Sequence, residues 1–164
     1  MDQPRWLNED ESRAWHALIA GWSLLNRQIE AQLKNDAGLS HVQYEVLVRL
    51  DAAPGGRLRM TELADALFNS KSGLTYQIGQ LEKAGLVRRE LCSTDVRGVN
   101  ASLTDAGRDA LRQAAPGHVG LVREAFIDVL TPEQLTAIAE GLGKVAHRMQ
   151  SPTAERPGRD GRSR

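Results

Sequence analysis

Residues 70–91 read SKSGLTYQIGQLEKAGLVRREL, and this stretch decides the fold. Leu74, Ile78 and Leu81 stand at i, i+4 and i+7, the spacing of a single helix face. Gly85 supplies the residue on which such a helix ends, because glycine enters the left-handed region without a Cβ clash. Leu86 to Leu91 then reads as a strand. The face opposite the apolar one carries Ser70, Lys71, Ser72, Thr75, Tyr76, Gln77 and Gln80, and no acid precedes Glu82. Solvated helix faces are usually rich in Glu and Lys. This one offers hydroxyls, amides and one ammonium instead, groups suited to base edges and phosphates.

Working outward, Thr61 is expected to cap a short helix with Leu63, Ala64 and Leu67 inward. Downstream, Val99, Ala101 and Leu103 alternate with Asn100 and Ser102, a period-2 strand. The connector from Cys92 to Gly98 is polar and ends in glycine, so the two strands form a hairpin with a protruding tip. A short helix, a turn, an amphipathic helix and a hairpin make the outline of a winged helix-turn-helix. In that module the second helix enters the DNA major groove, which is about 12 Å wide. The fold class is therefore mainly α with a small β-hairpin wing.

The flanks are helical too. Asn8, followed by Glu9, Asp10 and Glu11, opens a helix of about 25 residues that places acids where its dipole favours them. Trp15, Leu18, Trp22, Leu25, Ile29 and Leu33 form its apolar stripe, and Gly38 ends it. Ser40 to Gln43 is a capping-box pattern for a second helix with Val42, Val46, Leu47 and Leu50 inward, stopped by Pro54-Gly55-Gly56. Thr104 caps a long helix carrying Leu111, Ala115, Val122, Phe126 and Val129, which Pro116-Gly117 should kink or break. Thr131 to Gln134 caps a last helix bearing Leu135, Ile138, Leu142, Val145 and Met149. The organisation expected is an N-terminal dimerisation helix at 1–36, a winged helix-turn-helix at 37–104, C-terminal dimerisation helices at 105–150 and a disordered tail at 151–164. The near-heptad stripes of the terminal helices exceed what a small winged domain can cover. A partner chain is one cover, and packing back on the same chain is the other.

The 164 residues suffice for a buried core without metal or disulfide staples. At 41% hydrophobic and 26% charged, the chain is neither disordered throughout nor a coiled-coil rod. Aromatics at 4% disfavour a base-stacking single-strand binder. One cysteine forms no internal disulfide and no signal or membrane segment stands out, which reads as a cytoplasmic, nucleoid-associated protein. Net charge is zero, but it is unevenly spread. Residues 1–54 hold five basic and eight acidic side chains, whereas 55–100 hold seven basic and five acidic. The basic excess falls on the helix and hairpin described above.

With these residues in view, the chain resembles the MarR family of bacterial transcription regulators over about residues 10–150. The motifs that carry the resemblance are LSHVQYEVL at 39–47, Glu62-Leu63-Ala64, LEKAGLVRR at 81–89, Asp95-Val96-Arg97-Gly98 and Leu103-Thr104-Asp105-Ala106-Gly107. The resemblance implies that Arg97 at the wing tip enters the minor groove, oriented by an ion pair with Asp95. Narrow A·T-rich minor grooves concentrate negative potential and attract arginine. Gly98 stands where many relatives carry another basic residue, so the wing charge is low. The candidate DNA-binding residues are Ser70, Lys71, Ser72, Thr75, Tyr76, Gln77, Gln80, Arg88, Arg89, Asp95 and Arg97.

The resemblance also implies a homodimer built from the outer helices, with Trp15, Leu18, Leu25, Leu135 and Leu142 at its interface. It implies double-stranded DNA, an inverted-repeat operator, as the partner. An effector crevice is implied between the dimer helices and the reading lobe, where Trp15, Trp22, Arg27, His41 and Tyr44 would suit a small aromatic or anionic molecule. Trp15 and Trp22 fit a core or interface role as well. The function expected is a repressor released by a small-molecule effector; the rival is a winged-helix module that binds a protein. Asp95 with Arg97 and the acid-free helix face favour DNA. No cofactor, metal site or enzymatic motif is expected: His16, His41, His118 and His147 lack ligand spacing, and no P-loop, Rossmann or nucleophile-elbow pattern occurs. Cys92 suits a small half-buried residue better than an oxidant sensor.

Overall fold

The computed structural model describes residues 4–67, 70–92 and 95–150, with the backbone alone at Lys71, Cys92 and 95–97. Helix α1 spans Glu9–Ala37 and α2 spans His41–Ala52. Each opens on a reciprocal cap. Asn8 Oδ1 accepts from the Glu11 N–H at 2.9 Å while Glu11 accepts from the Asn8 N–H at 2.9 Å. Ser40 and Gln43 make the same exchange at 3.2 and 3.0 Å. Gly38, at φ 67°, closes α1 in the left-handed region, and a Cβ there would be strained. At 29 residues α1 is four longer than its apolar stripe suggested.

A 3₁₀ turn at Pro54–Gly56 leads into β1 (Arg57–Arg59), α3 (Met60–Ala66), α4 (Lys71–Lys83), β2 (Val87–Cys92) and β3 (Asp95–Leu103). The strands form one antiparallel sheet in the order β1-β3-β2. Helix α5 (Asp105–Val122), a π-helical turn at Arg123–Ile127 and α6 (Pro132–Gln150) follow. No helix among the described residues is long and apolar enough to cross a membrane.

One core joins these elements. Ile29 and Leu33 of α1, Val46, Leu47 and Leu50 of α2, and Leu63 and Ala64 of α3 are buried in it. Leu74, Ile78 and Leu81 of α4 enter it as their spacing predicts, each at most 1% exposed. Ala101 and Leu103 close it from the sheet and Ala114 from α5. The end of α4 is a Schellman turn: Leu86 N–H donates to Leu81 O at 2.9 Å and Gly85 N–H to Glu82 O at 3.0 Å. Thr104 ties that turn to α5. Its hydroxyl donates to Gly85 O at 2.8 Å and accepts from the Gly107 N–H at 3.0 Å. A Cβ on Gly107 would lie 2.2 Å from Leu86 O, so glycine is what lets α5 sit this close to the sheet.

Several expectations are corrected. Residues 57–59 form a strand the sequence reading missed, because three residues show no period and the pairing partners, Ser102 to Asn100, lie far along the chain. Thr61 does not cap α3; Arg59 holds the cap position, and its N–H is met by the Glu62 carboxylate at 3.1 Å. Leu67 lies just past the helix but packs against the core as expected, whereas Val42 is only half-buried. Strand β3 begins at Asp95, so the strands reach further into the wing than a connector from Cys92 to Gly98 allowed. The register slips between Leu91 and Cys92, an irregularity that lets two unequal strands meet. Ser102, expected to point outward, is 4% exposed because it sits on the central strand between Arg57 and Arg88 and bonds Glu90.

The largest correction concerns Pro116-Gly117, which neither breaks nor ends α5. Proline costs the helix one N–H donor but keeps a helical φ. Gly117 faces α1 so closely that a Cβ would lie 2.4 Å from Asp36 Oδ2 and 3.0 Å from Gln32 Nε2. Gln113 Nε2 also donates to Asp36 O at 3.1 Å, holding the two helices together. Gly117 thus leaves room for the Asp36 and Gln32 side chains between the two helices. Ala114, rather than Ala115, is the fully buried alanine of α5. The expected tail at 151–164 lies outside the described residues, as do Asn69 and the connector residues Ser93 and Thr94.

Candidate nucleic-acid interface

The outward face of α4 is the site the sequence singled out. Ser70 caps the helix, accepting from the Gly73 N–H at 3.1 Å and lying 3.3 Å from the Ser72 hydroxyl. Ser72, Thr75 and Tyr76 are exposed, Tyr76 by 63%, while Gln77 and Gln80 are half-buried. These groups divide between two grooves. Thr75 lines a cleft toward the wing with Arg59, Met60, Thr61, Arg89, Gly98 and Val99. Tyr76, Gln77 and Gln80 line a second with Glu30, Ala31 and Lys34 of α1 and Ser40 and Gln43 of α2. The side chains of Lys71, Asp95 and Arg97 lie outside what is described, and with them the expected Asp95–Arg97 pair. The backbone puts 95 and 97 in the strand that forms the far side of the wing.

Arg88 and Arg89 are neighbours in sequence but not in space, since successive strand residues face opposite ways. Arg88 pairs across the sheet with Ser102, and its Nε lies 2.5 Å from Glu90 Oε1. Glu90 also accepts from the Ser102 hydroxyl at 2.9 Å. That bond first, then Arg88 and Arg57, holds its carboxyl below the ordinary carboxylate value. Arg89 pairs with Ala101 and turns to Glu82 on α4, with Nε 2.9 Å and Nη2 2.5 Å from Oε2. Both arginines, expected as DNA contacts, thus have carboxylate partners within the chain.

The proposed effector residues fall into two groups. Trp22, His41 and Tyr44 fall in one row of rings with His118, in the order Trp22, His41, His118, Tyr44. Ring centroids lie 6.1 Å apart for Trp22–His41, 6.2 Å for His41–His118 and 4.6 Å for Tyr44–His118. His41 Nδ1 lies 2.9 Å from Asn26 Oδ1 and its backbone N–H donates to Glu30 at 3.1 Å. His118 Nδ1 is buried without a hydrogen-bond partner. Burial, then the His41 ring, pushes the His118 imidazole below its ordinary value, opposed by Glu45. Burial and then Glu45 push the Tyr44 phenol up. Arg27 sits about 140° around α1 from Trp22 and is not part of this cluster, while Trp15 shares its face two turns away. No signal in the sequence placed His118 here, because the kink or break expected at Pro116-Gly117 left the direction of the chain beyond it open. Among the described residues no group of three His, Cys, Asp or Glu is placed to hold a metal.

The outer helices present a second kind of surface. Trp15, Leu18, Ile19 and Trp22 are 40–54% exposed on α1. Helix α6 contributes no buried residue at all, and Leu142, Val145 and Met149 are exposed along it. Leu135 is half-buried, and Leu25 packs against the chain's own core.

Known proteins share this architecture. A model of the MarR family matches residues 37–98. The HTH-type transcriptional regulator YfiV of Bacillus subtilis is 30% identical over 118 residues, covering 71% of each chain. The HTH-type transcriptional repressor YetL of the same organism is 30% identical over 112 residues, covering 68% of this chain and 66% of its own. The crystal structure of Sco3205, a MarR family transcriptional regulator from Streptomyces coelicolor in complex with DNA, superposes with a TM-score of 0.88 at 45% identity. That match covers 93% of this chain and 95% of the other. Fold, motif order and identity over nearly the whole chain agree, and the protein belongs to the MarR family of winged helix-turn-helix transcription regulators, not to a family of enzymes.

Proposed function

We propose that the protein acts as a homodimeric, sequence-specific repressor whose hold on DNA is modulated by a small aromatic or anionic effector. The observation that carries the reading is the acid-free polar face of α4 beside a hairpin wing. Thr75, Tyr76 and Gln77 would lie near base edges in the major groove and Arg97 in the minor groove. That the similar protein YetL is named a repressor supports the sign of regulation, and the complex of Sco3205 with DNA supports the ligand.

Dimerisation is supported by the uncovered apolar faces of α1 and α6, which a second copy related by a twofold axis would bury. Such a dimer reads an inverted repeat with half-sites about 10 base pairs apart, or slightly more. The Trp22–His41–Tyr44–His118 cluster supports the effector, since it joins α1 and α5 to the start of α2. A ligand wedged there would shift the reading lobe relative to the dimer helices.

The test is a gel shift on the upstream region of the protein's own gene at several salt concentrations. Arg97→Ala deletes one groove charge per subunit, so the salt slope of the dimer should fall by nearly 2, at about 0.9 per contact. An unchanged slope and affinity would remove the wing from DNA binding and favour a protein partner instead. Sedimentation of a stable wild-type monomer at micromolar concentration would sink the dimer.

A further inference from the structure

Glu82 is the only acid between Ser70 and Lys83; seven residues beyond Thr75, it lies on the same side of α4 near the helix end, where the wing takes up its charge. Its carboxylate accepts three bonds from one residue of the wing. The Arg89 backbone N–H donates to Oε1 at 3.1 Å, and Nε and Nη2 donate to Oε2 at 2.9 and 2.5 Å. In the order β1-β3-β2, strand β2 is an edge, so the backbone N–H of Arg89 points away from β3 toward the helix. One carboxylate thus holds both the main chain and the side chain of the same residue. A single ion pair between two flexible side chains fixes only a distance. A forked guanidinium together with a backbone amide fixes direction as well.

The connection between the two residues is itself closed. The Schellman turn at Leu81–Leu86 leaves little freedom between the end of α4 and the start of β2. Thr104 bonds that turn from the far side through Gly85 O. Thr75 and Arg89 line one cleft, so the clamp lies between the helix face and the hairpin. The bonds from Arg89 hold the Glu82 carboxyl below the ordinary carboxylate value.

We infer that Glu82, acting through Arg89, is the positioning residue that fixes the angle between α4 and the wing, so that both engage one duplex at once. The inference rests on the DNA-binding reading and deepens it. Two linked contacts reinforce each other only while their geometry allows simultaneous engagement. Losing the clamp should therefore cost site-specific binding and leave sequence-independent phosphate contacts in place. Arg89, held by carboxylate and amide, acts here as a strut rather than as a DNA contact.

The experiment uses the full chain and two probes: a duplex enriched from a random library by the wild type, and a mixed-sequence duplex of equal length. Glu82→Gln keeps the shape and removes the charge. It should weaken binding to the enriched duplex by about tenfold, a fraction of what linked contacts can contribute, and to the mixed duplex by less than about twofold. Hydroxyl-radical footprints should lose the wing's protection and retain that of the helix. The exchange Glu82→Arg with Arg89→Glu should recover only part of the lost discrimination, because a guanidinium at 82 restores the ion pair but cannot accept the backbone N–H of residue 89; a general loss of stability would give no rescue at all. Should Glu82→Gln fail to fold by circular dichroism, Arg89→Lys, which keeps the charge but not the fork, should show the same selective loss in weaker form. Equal weakening on both duplexes, no change on either, or tighter binding to both from a freed Arg89 overturns the inference. If the wild type enriches no duplex, the DNA reading itself falls and the inference with it.

Discussion

The reading lobe and the outer helices carry the same kind of apolar stripe, yet the two end in opposite states. In α4 the side chains at i, i+4 and i+7 are sealed by α2, α3 and the sheet. In α6 a stripe of equal quality leaves Leu142, Val145 and Met149 in contact with solvent, Met149 by 82%. Helix α1 contains both outcomes along its length. Ile29 and Leu33, near its end, are buried in the core, while Trp15 and Trp22, near its start, are about half exposed. A hydrophobic period therefore specifies a face, and it leaves open which molecule covers it. The lobe is self-sufficient in apolar contacts and the outer helices are not.

The sharpest way to break this contrast is to damage one stripe at a time. Leu81→Ala, deep in the lobe, should cost about 2–5 kcal/mol in urea unfolding, since the cavity has no route to collapse among close-packed neighbours. Leu142→Glu should leave the lobe's slowest-exchanging amides within about 0.5 kcal/mol of wild type, as expected of a surface change, while sedimentation reports a monomer. Global unfolding by Leu142→Glu would show that the lobe depends on its partner, and the contrast would fail.

A smaller effect sharpens how the lobe is closed. Gly107→Ala places a methyl group against Leu86 O and Leu103 Cδ1. Overpacking at a rigid backbone contact should cost about 1–3 kcal/mol, seen as a lowered Tm. A neutral or stabilising alanine there would mean that α5 can shift away from the sheet freely.

The smallest effect lies where the two regions meet. His118 is held neutral by burial, so its folded-state value lies below the ordinary 6.5. Above that pH both folded and unfolded chains leave it neutral, and it costs nothing. As pH falls below about 6.5, the unfolded chain takes up the proton that the folded chain resists, and stability drops until the folded-state value is passed. The wild-type Tm should therefore decline more between about pH 7 and about pH 5 than that of His118→Gln. Identical declines would show that the cluster does not restrain the imidazole.

Much of this protein could be read from its sequence because much of it is decided locally. Asn8 with Glu11, Ser40 with Gln43, and Thr131 with Gln134 form their capping boxes within four consecutive residues. The inward face of α4 and its Gly85 terminator follow from side-chain spacing and from the φ that glycine alone adopts freely. What only the tertiary structure decided involves partners far apart in the chain. Strand β1 exists because residues 57–59 meet 100–102, with no periodic signal of its own. Pro116 and Gly117 stay within α5, which packs on α1 with Gly117 against the Asp36 and Gln32 side chains, and that packing outweighs the local cost of one missing donor. His118 joined His41 and Tyr44 for the same reason: folding, which no local pattern encodes, chose its neighbours.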